Sequence, residues 1–198
     1  HLERVRAAPK TPLASLFRLV VLFVLPAAKR LARAAALRFV GRSKLGHMAY
    51  TLSREAFQQE LHGQRTDLFT LRGAGGLQVA VSNYGARLVQ VAVPDGQGGL
   101  VDVALGYDSL QGYVDGQLSM GAFIGRWAGR LRAGQLHVPG GCTLQLPTNS
   151  GPHHHHGGPL GSRFQVFGVT EVQADAMVLT HTFRTEDDAV PGTVRLTL

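Results

Sequence analysis

From Tyr50 onward, apolar residues recur at every second position, and that period constrains this chain more than any other feature. In "LQVAVSNYG", Leu77, Val79 and Val81 fall on one face. Successive side chains of a strand point to opposite sides, so a period of two marks a strand with one face buried. "RLVQVAVPD" puts Val89, Val91 and Val93 on one face and Leu88 and Ala92 on the other. "CTLQL" pairs Leu144 with Leu146, and "AMVLTHTF" aligns Met177, Leu179, His181 and Phe183. The turn formers "GAGG", "PDGQGG", "VPGG" and "SGP" separate these runs and hold nine of the 25 glycines. No helical pattern of roughly 10–15 residues follows Met48, which excludes the strand–helix alternation of a dinucleotide fold. "GRWAGR" and "GAGG" match neither a P-loop nor a Rossmann fingerprint. The expectation is an all-β, antiparallel architecture. "SREAFQQEL" allows at most a brief helix capped by Ser53, with "QRTDLFTLRG" as a hairpin partner.

A chain of 198 residues suffices for one ordinary domain or a piece of a larger one. Its net charge of +7 invites a nucleic-acid partner, but the distribution excludes one. Residues 1–48 hold ten Lys/Arg against the single acid Glu3, whereas residues 49–198 hold ten Arg against twelve acids. The part that folds therefore carries no footprint for a phosphate backbone. Residues 1–48 read as a separate basic and apolar extension, non-native or poorly ordered, or as an amphipathic or targeting segment. Its apolar stretch, Leu13 to Ala28, is interrupted by Arg18 and Pro26, short of the roughly 20 apolar residues that a span needs. A cytoplasmic setting is expected, with export or membrane association through residues 13–40 as the alternative. Cys142 is the sole cysteine, so no intrachain disulfide and no thiolate-rich metal site is possible.

The blocks "VSNYGARLVQVAVPDGQGGLVDVALGYDSLQGYV", "GAFIGRWAGRLRAGQLHV", "LPTNSGPHHHHGGPLGSRFQVF" and "FRTEDDAVPGTVRLTL" occur in that order. Together they resemble the aldose 1-epimerase (galactose mutarotase) family over about residues 54–198. The resemblance implies a large antiparallel β-sandwich of the galactose mutarotase type, with residues 49–198 as its N-terminal part. It implies a free aldohexose such as galactose or glucose as the small-molecule partner, interconversion of its α and β anomers, and no cofactor. It places the family's second catalytic histidine, acidic sugar contact and general-base glutamate after residue 198, so that the chain alone is expected to be inactive. The oligomeric state is not legible.

Mutarotation needs a base at the anomeric hydroxyl and an acid or hydrogen-bond donor at the ring oxygen. Histidine suits the second role, and arginine offers a rigid fork of donors to sugar oxygens. The resemblance assigns the ring-oxygen contact, catalytic and substrate-binding, to His156, which stands just before Gly157 and Gly158. It assigns a substrate-binding role to Arg130, whose preceding family asparagine is Gly129 here. His155 stands where the family has an apolar residue pointing into the core, and so lacks a physical account. Trp127 and Tyr113 are candidate sugar-stacking faces, and Arg126 a structural ion-pair former.

Two readings compete with the enzyme. One is a carbohydrate-binding β-module without catalysis. The other is a metal-binding β-protein. If residues 153–156 form a strand, His154 and His156 share a face at a chelating i, i+2 spacing, with His137, His181, Asp187 or Asp188 as third ligand. The acidic run Glu186–Asp188 reads as a solvated hairpin loop.

Overall fold

The computed structural model describes residues 51–116 and 118–198; the expectations for residues 1–48 lie outside them. A single 3₁₀ turn, Glu55–Phe57, stands where a brief helix was expected, and Ser53 Oγ accepts the Ala56 N–H at 3.3 Å. A small hairpin follows, β1 (Glu60–Leu61) with β2 (Gln64–Arg65). Next comes a four-stranded antiparallel meander of β3 (Leu68–Arg72), β4 (Gln78–Ser82), β5 (Arg87–Pro94) and β6 (Leu100–Asp102). The short helix α1 (Leu110–Asp115) lays Leu110 and Tyr113 into the core. β7 (Arg130–Leu131) pairs later with β10 (His154–His155), and β8 (Gln135–Val138) forms a hairpin with β9 (Cys142–Gln145). β11 (Gly168–Val172), β12 (Met177–Phe183) and β13 (Val194–Thr197) build a three-stranded antiparallel sheet, with the one-turn helix α2 (Thr185–Asp188) after β12.

The two larger sheets pack face to face, as a sandwich requires. Leu71, Val79, Val81 and Leu88 of the first sheet meet Phe167, Val169, Met177, Leu179 and Leu196 on the other side. A second cluster, around Phe57, Leu68, Ala80, Val89, Leu110 and Tyr113, fills the opposite face of the meander. Each fully buried Leu, Val or Phe among them contributes roughly 1.5–3 kcal/mol by leaving water, and the partly buried ones less.

The face assignment in β5 needs correction. Val79 pairs with Val91 and Ala80 with Gln90, but Val81 pairs with Leu88, so Val89 is an extra residue at a bulge. A bulge reverses the parity of everything beyond it. Leu88 consequently shares the inter-sheet face with Val79 and Val81, while Val89 goes to the other cluster.

The "NYG" strand end is a staple. Buried Asn83 accepts the Asp67 N–H through Oδ1 and donates through Nδ2 to the carbonyls of Arg65 and Phe167. Gly85 N–H donates to Gln165 O, and Phe123 N–H donates to Gly85 O. One corner thus holds both the loop before β7 and the loop after β10, the two segments that flank the ladder bearing His154 and His155.

Candidate functional site

The loop before β7 and the loop after β10 are tied side by side. Ser162 Oγ donates to Phe123 O at 2.6 Å and accepts the Gly125 N–H at 2.7 Å. Arg126 anchors the same loop from the other direction, forking onto the buried Asp188 carboxylate at 2.6 and 2.7 Å and reaching the carbonyls of Val190 and Gly192. Arg126 therefore has the structural role expected. Asp188 is no solvated loop residue, because this pairing draws it inward, to 8% exposure.

β7 and β10 form a two-residue ladder in which His154 faces Leu131 and His155 faces Arg130. Directly paired residues in an antiparallel ladder project to the same side. His154 and Leu131 are both buried, so that side is the core; Arg130 and His155 project the other way. The apolar residue that the family resemblance places at this position would point into the core; the register turns His155 outward instead. His154 is the inward histidine, its Nδ1 held 2.7 Å from Pro147 O.

The strand ends at His155. His156 adopts a left-handed backbone (φ 52°), which turns its ring onto that of His155, with centroids 3.8 Å apart. The i, i+2 chelating pair accordingly does not form. The third ligands considered for it are also committed elsewhere: His137 to Thr143, His181 between Phe167 and Phe183, Asp187 to the Arg184 N–H, and Asp188 to Arg126. Among the described residues no group of three His, Cys, Asp or Glu side chains is placed to hold a metal.

Reciprocal hydrogen bonds lock His156. Its N–H donates to Gly129 O at 3.0 Å, and its ring Nδ1 accepts the Gly129 N–H at 3.1 Å. A neutral imidazole whose Nδ1 accepts must carry its proton on Nε2. Burial, then the nearby Arg163 and Arg130 cations, hold His156 below the usual histidine range. His155 is pushed the same way, by burial first and then by His156, Arg130, Arg163 and His154.

Arg130 lies exposed beside His155, its Nε 3.4 Å from Ser150 Oγ. The ladder thus gathers Arg130, His155 and His156 into one patch. Gly157 and Gly158 serve the protein's own packing: a Cβ at Gly157 would overlap the Gly125 carbonyl oxygen, and one at Gly158 would lie 2.7 Å from the His154 ring. Tyr113 is excluded as a stacking face, since it is buried and accepts the Tyr107 N–H. Trp127 remains exposed, two residues before Gly129. His153 sits at the edge, its Nδ1 accepting the Ala133 N–H at 3.3 Å.

Three residues that position the site were missed. Asn149 acts as a surrogate strand: its Oδ1 accepts the His155 N–H at 2.7 Å and its Nδ2 donates to His155 O at 2.9 Å. In sequence it looks like one more turn former before Gly151–Pro152. Arg163 adds positive charge near both histidines while donating to Ser119 Oγ. Arg87, buried over the Tyr84 and Tyr113 rings, donates to the carbonyls of Met120 and Arg163. Nothing in a strand pattern marks an inward arginine. A cavity of about 590 Å³ lies apart from the patch, lined by Arg54, Asp67, Asn83 and Phe167. Its single carboxylate, Asp67, is already paired with Arg54, so the chemistry is read from the histidine patch.

The family model for aldose 1-epimerase matches residues 67–198. A maltose epimerase from Levilactobacillus brevis is 33% identical over 141 residues, 70% of this chain and 41% of its own. Galactose mutarotase from Bos taurus is 30% identical over 120 residues, 61% of this chain and 34% of its own. Among solved structures, a galactose 1-epimerase from Lactobacillus acidophilus superposes with a TM-score of 0.60 at 28% identity, over 76% of this chain and 43% of its own. A GalM/aldose epimerase homologue from C. elegans superposes with a TM-score of 0.63 at 26% identity, over 67% of this chain and 40% of its own. The chain spans 34–43% of the length of these relatives.

Proposed function

Because the chain belongs to the aldose 1-epimerase family, we propose that its Arg130–His156 patch binds a free aldohexose such as galactose or glucose and takes part in interconverting its anomers. Residues 49–198 act in this as one sandwich unit, in a cytoplasmic setting. The observation that carries the reading is the bond from Gly129 N–H to His156 Nδ1. It leaves a fixed Nε2–H donor beside an exposed guanidinium, a pair that suits the acceptor oxygens of a pyranose. Relatives named for galactose and for maltose share that chemistry, a pyranose with a free anomeric centre.

The same bond limits what His156 does. Protonating Nδ1 would set two N–H groups against each other, so the ring works as a neutral donor that polarises the sugar's ring oxygen. Complete proton transfer then falls to another acid, and removal of the anomeric proton to a base. The charged groups acting on His156 are both cations, which favours as second reading a carbohydrate-binding module without turnover.

Two measurements on the protein separate these. Calorimetric titration with galactose or glucose should show saturable binding that is lost in His156→Ala and weakened in Arg130→Ala. Polarimetry with fresh α-galactose then asks whether these residues suffice for turnover: acceleration abolished by His156→Ala supports the epimerase over the module, whereas its absence alongside binding shows only that these residues bind the sugar without supplying the base. A protein that binds no hexose, or whose binding ignores both substitutions, overturns the sugar-site reading.

A further inference from the structure

Arg130 and His156 can only donate. Arginine has no acceptor, and the Nδ1 of His156 is occupied by Gly129. A sugar hydroxyl both donates and accepts, so a patch of donors alone leaves its protons unmatched. His155 fills that gap. Its backbone is fixed on both sides by Asn149, its register partner is Arg130, and its ring lies 3.8 Å from that of His156. Among the described residues its ring nitrogens take no hydrogen bond, whereas the rings of His153, His154 and His156 each take one. A neutral imidazole offers one donor and one acceptor.

We infer that His155 is a further sugar-contacting residue, supplying the acceptor for a pyranose hydroxyl beside the donors Arg130 and His156. The inference rests on the sugar-site reading above and extends it. The charged and titratable groups acting on His155 are His156, Arg130, Arg163 and, from the far side of the strand, His154; burial together with their field favours its neutral form, with its acceptor available. The outward side of the ladder also explains how a polar ring is tolerated where the family pattern has an apolar one.

The test is calorimetric titration of the chain with galactose and with glucose, using His155→Leu, His155→Gln and His156→Ala. Leucine keeps the bulk and removes the acceptor; glutamine restores one through its amide oxygen. The expected result is roughly five- to tenfold weaker binding in His155→Leu, the effect of one lost hydrogen bond, with most of it recovered in His155→Gln. Equal affinity in His155→Leu and wild type overturns the inference. So does equal weakening in both variants, which would mean the imidazole acts only through packing. If His156→Ala abolishes binding while His155→Leu does not change it, this inference alone fails. If the wild type binds no hexose, the sugar-site reading fails and carries this one with it.

Discussion

Two glycines with nearly the same backbone but different surroundings separate backbone strain from steric contact. Gly129 has φ +85° with open space where a Cβ would go, whereas Gly157 has φ +81° with the Gly125 carbonyl in the way. Alanine at either position pays about 1–2 kcal/mol for the left-handed conformation, offset in part by the stiffer unfolded chain. Gly129→Ala should therefore cost about 1 kcal/mol. Gly157→Ala carries the same strain plus an overlap that cannot relax cheaply, because Gly125 is bonded to Ser162 and its neighbour Arg126 to Asp188. Overpacking of this kind adds about 1–3 kcal/mol, for a total of about 3 kcal/mol. With a urea slope of about 2 kcal/mol/M, the two midpoints should differ by about 1 M. Trp127, the single tryptophan, sits two residues from both Gly125 and Gly129 and reports the transition by fluorescence. Equal midpoints would refute the close approach of the two loops, and with it the account of why glycine follows His156. Gly129→Asn, which brings back the family's side chain, should cost less than Gly129→Ala, since asparagine tolerates this backbone.

Asp188→Ala should destabilise the fold by about 3 kcal/mol or more, because it strands the Arg126 guanidinium in a largely buried position; a urea midpoint close to wild type would contradict that pairing. Acidification should destabilise the protein. His155, His156 and His181 are all held below the usual histidine range, so the unfolded chain binds protons that the folded one refuses. Stability should hold above the unfolded histidine value, about pH 6.5, and decline as pH falls below it, read as melting temperature between pH 7.5 and 5. A flat profile across that window would show that these rings titrate normally.

Much of this protein was legible from local pattern. The period of two in β4 and β12, the glycine-rich turns between strands and the absence of long helical periodicity determined an antiparallel β class, because side-chain alternation is a property of the strand itself. The turn at "PDGQGG" was equally local: within it, Asp95 Oδ1 accepts the N–H groups of Gln97 and Gly99. The "NYG", "GRWAGR" and "HHHHGG" blocks pointed to the family and singled out Arg130 and His156.

What escaped was everything set by register or by partners distant in sequence. One extra residue at Val89 exchanged the faces of β5, and no alternation pattern marks a bulge. Four identical histidines cannot say which turns inward. Pairing with β7, 24 residues earlier, sends His154 to the core and His155 to the patch, and a left-handed turn at His156 swings its ring back over His155. By itself the sequence determined the strands, the turns and the family. Only the tertiary structure decided which histidine is core, which is lock and which is left with an acceptor, because side-chain direction depends on a strand's partner and its offset.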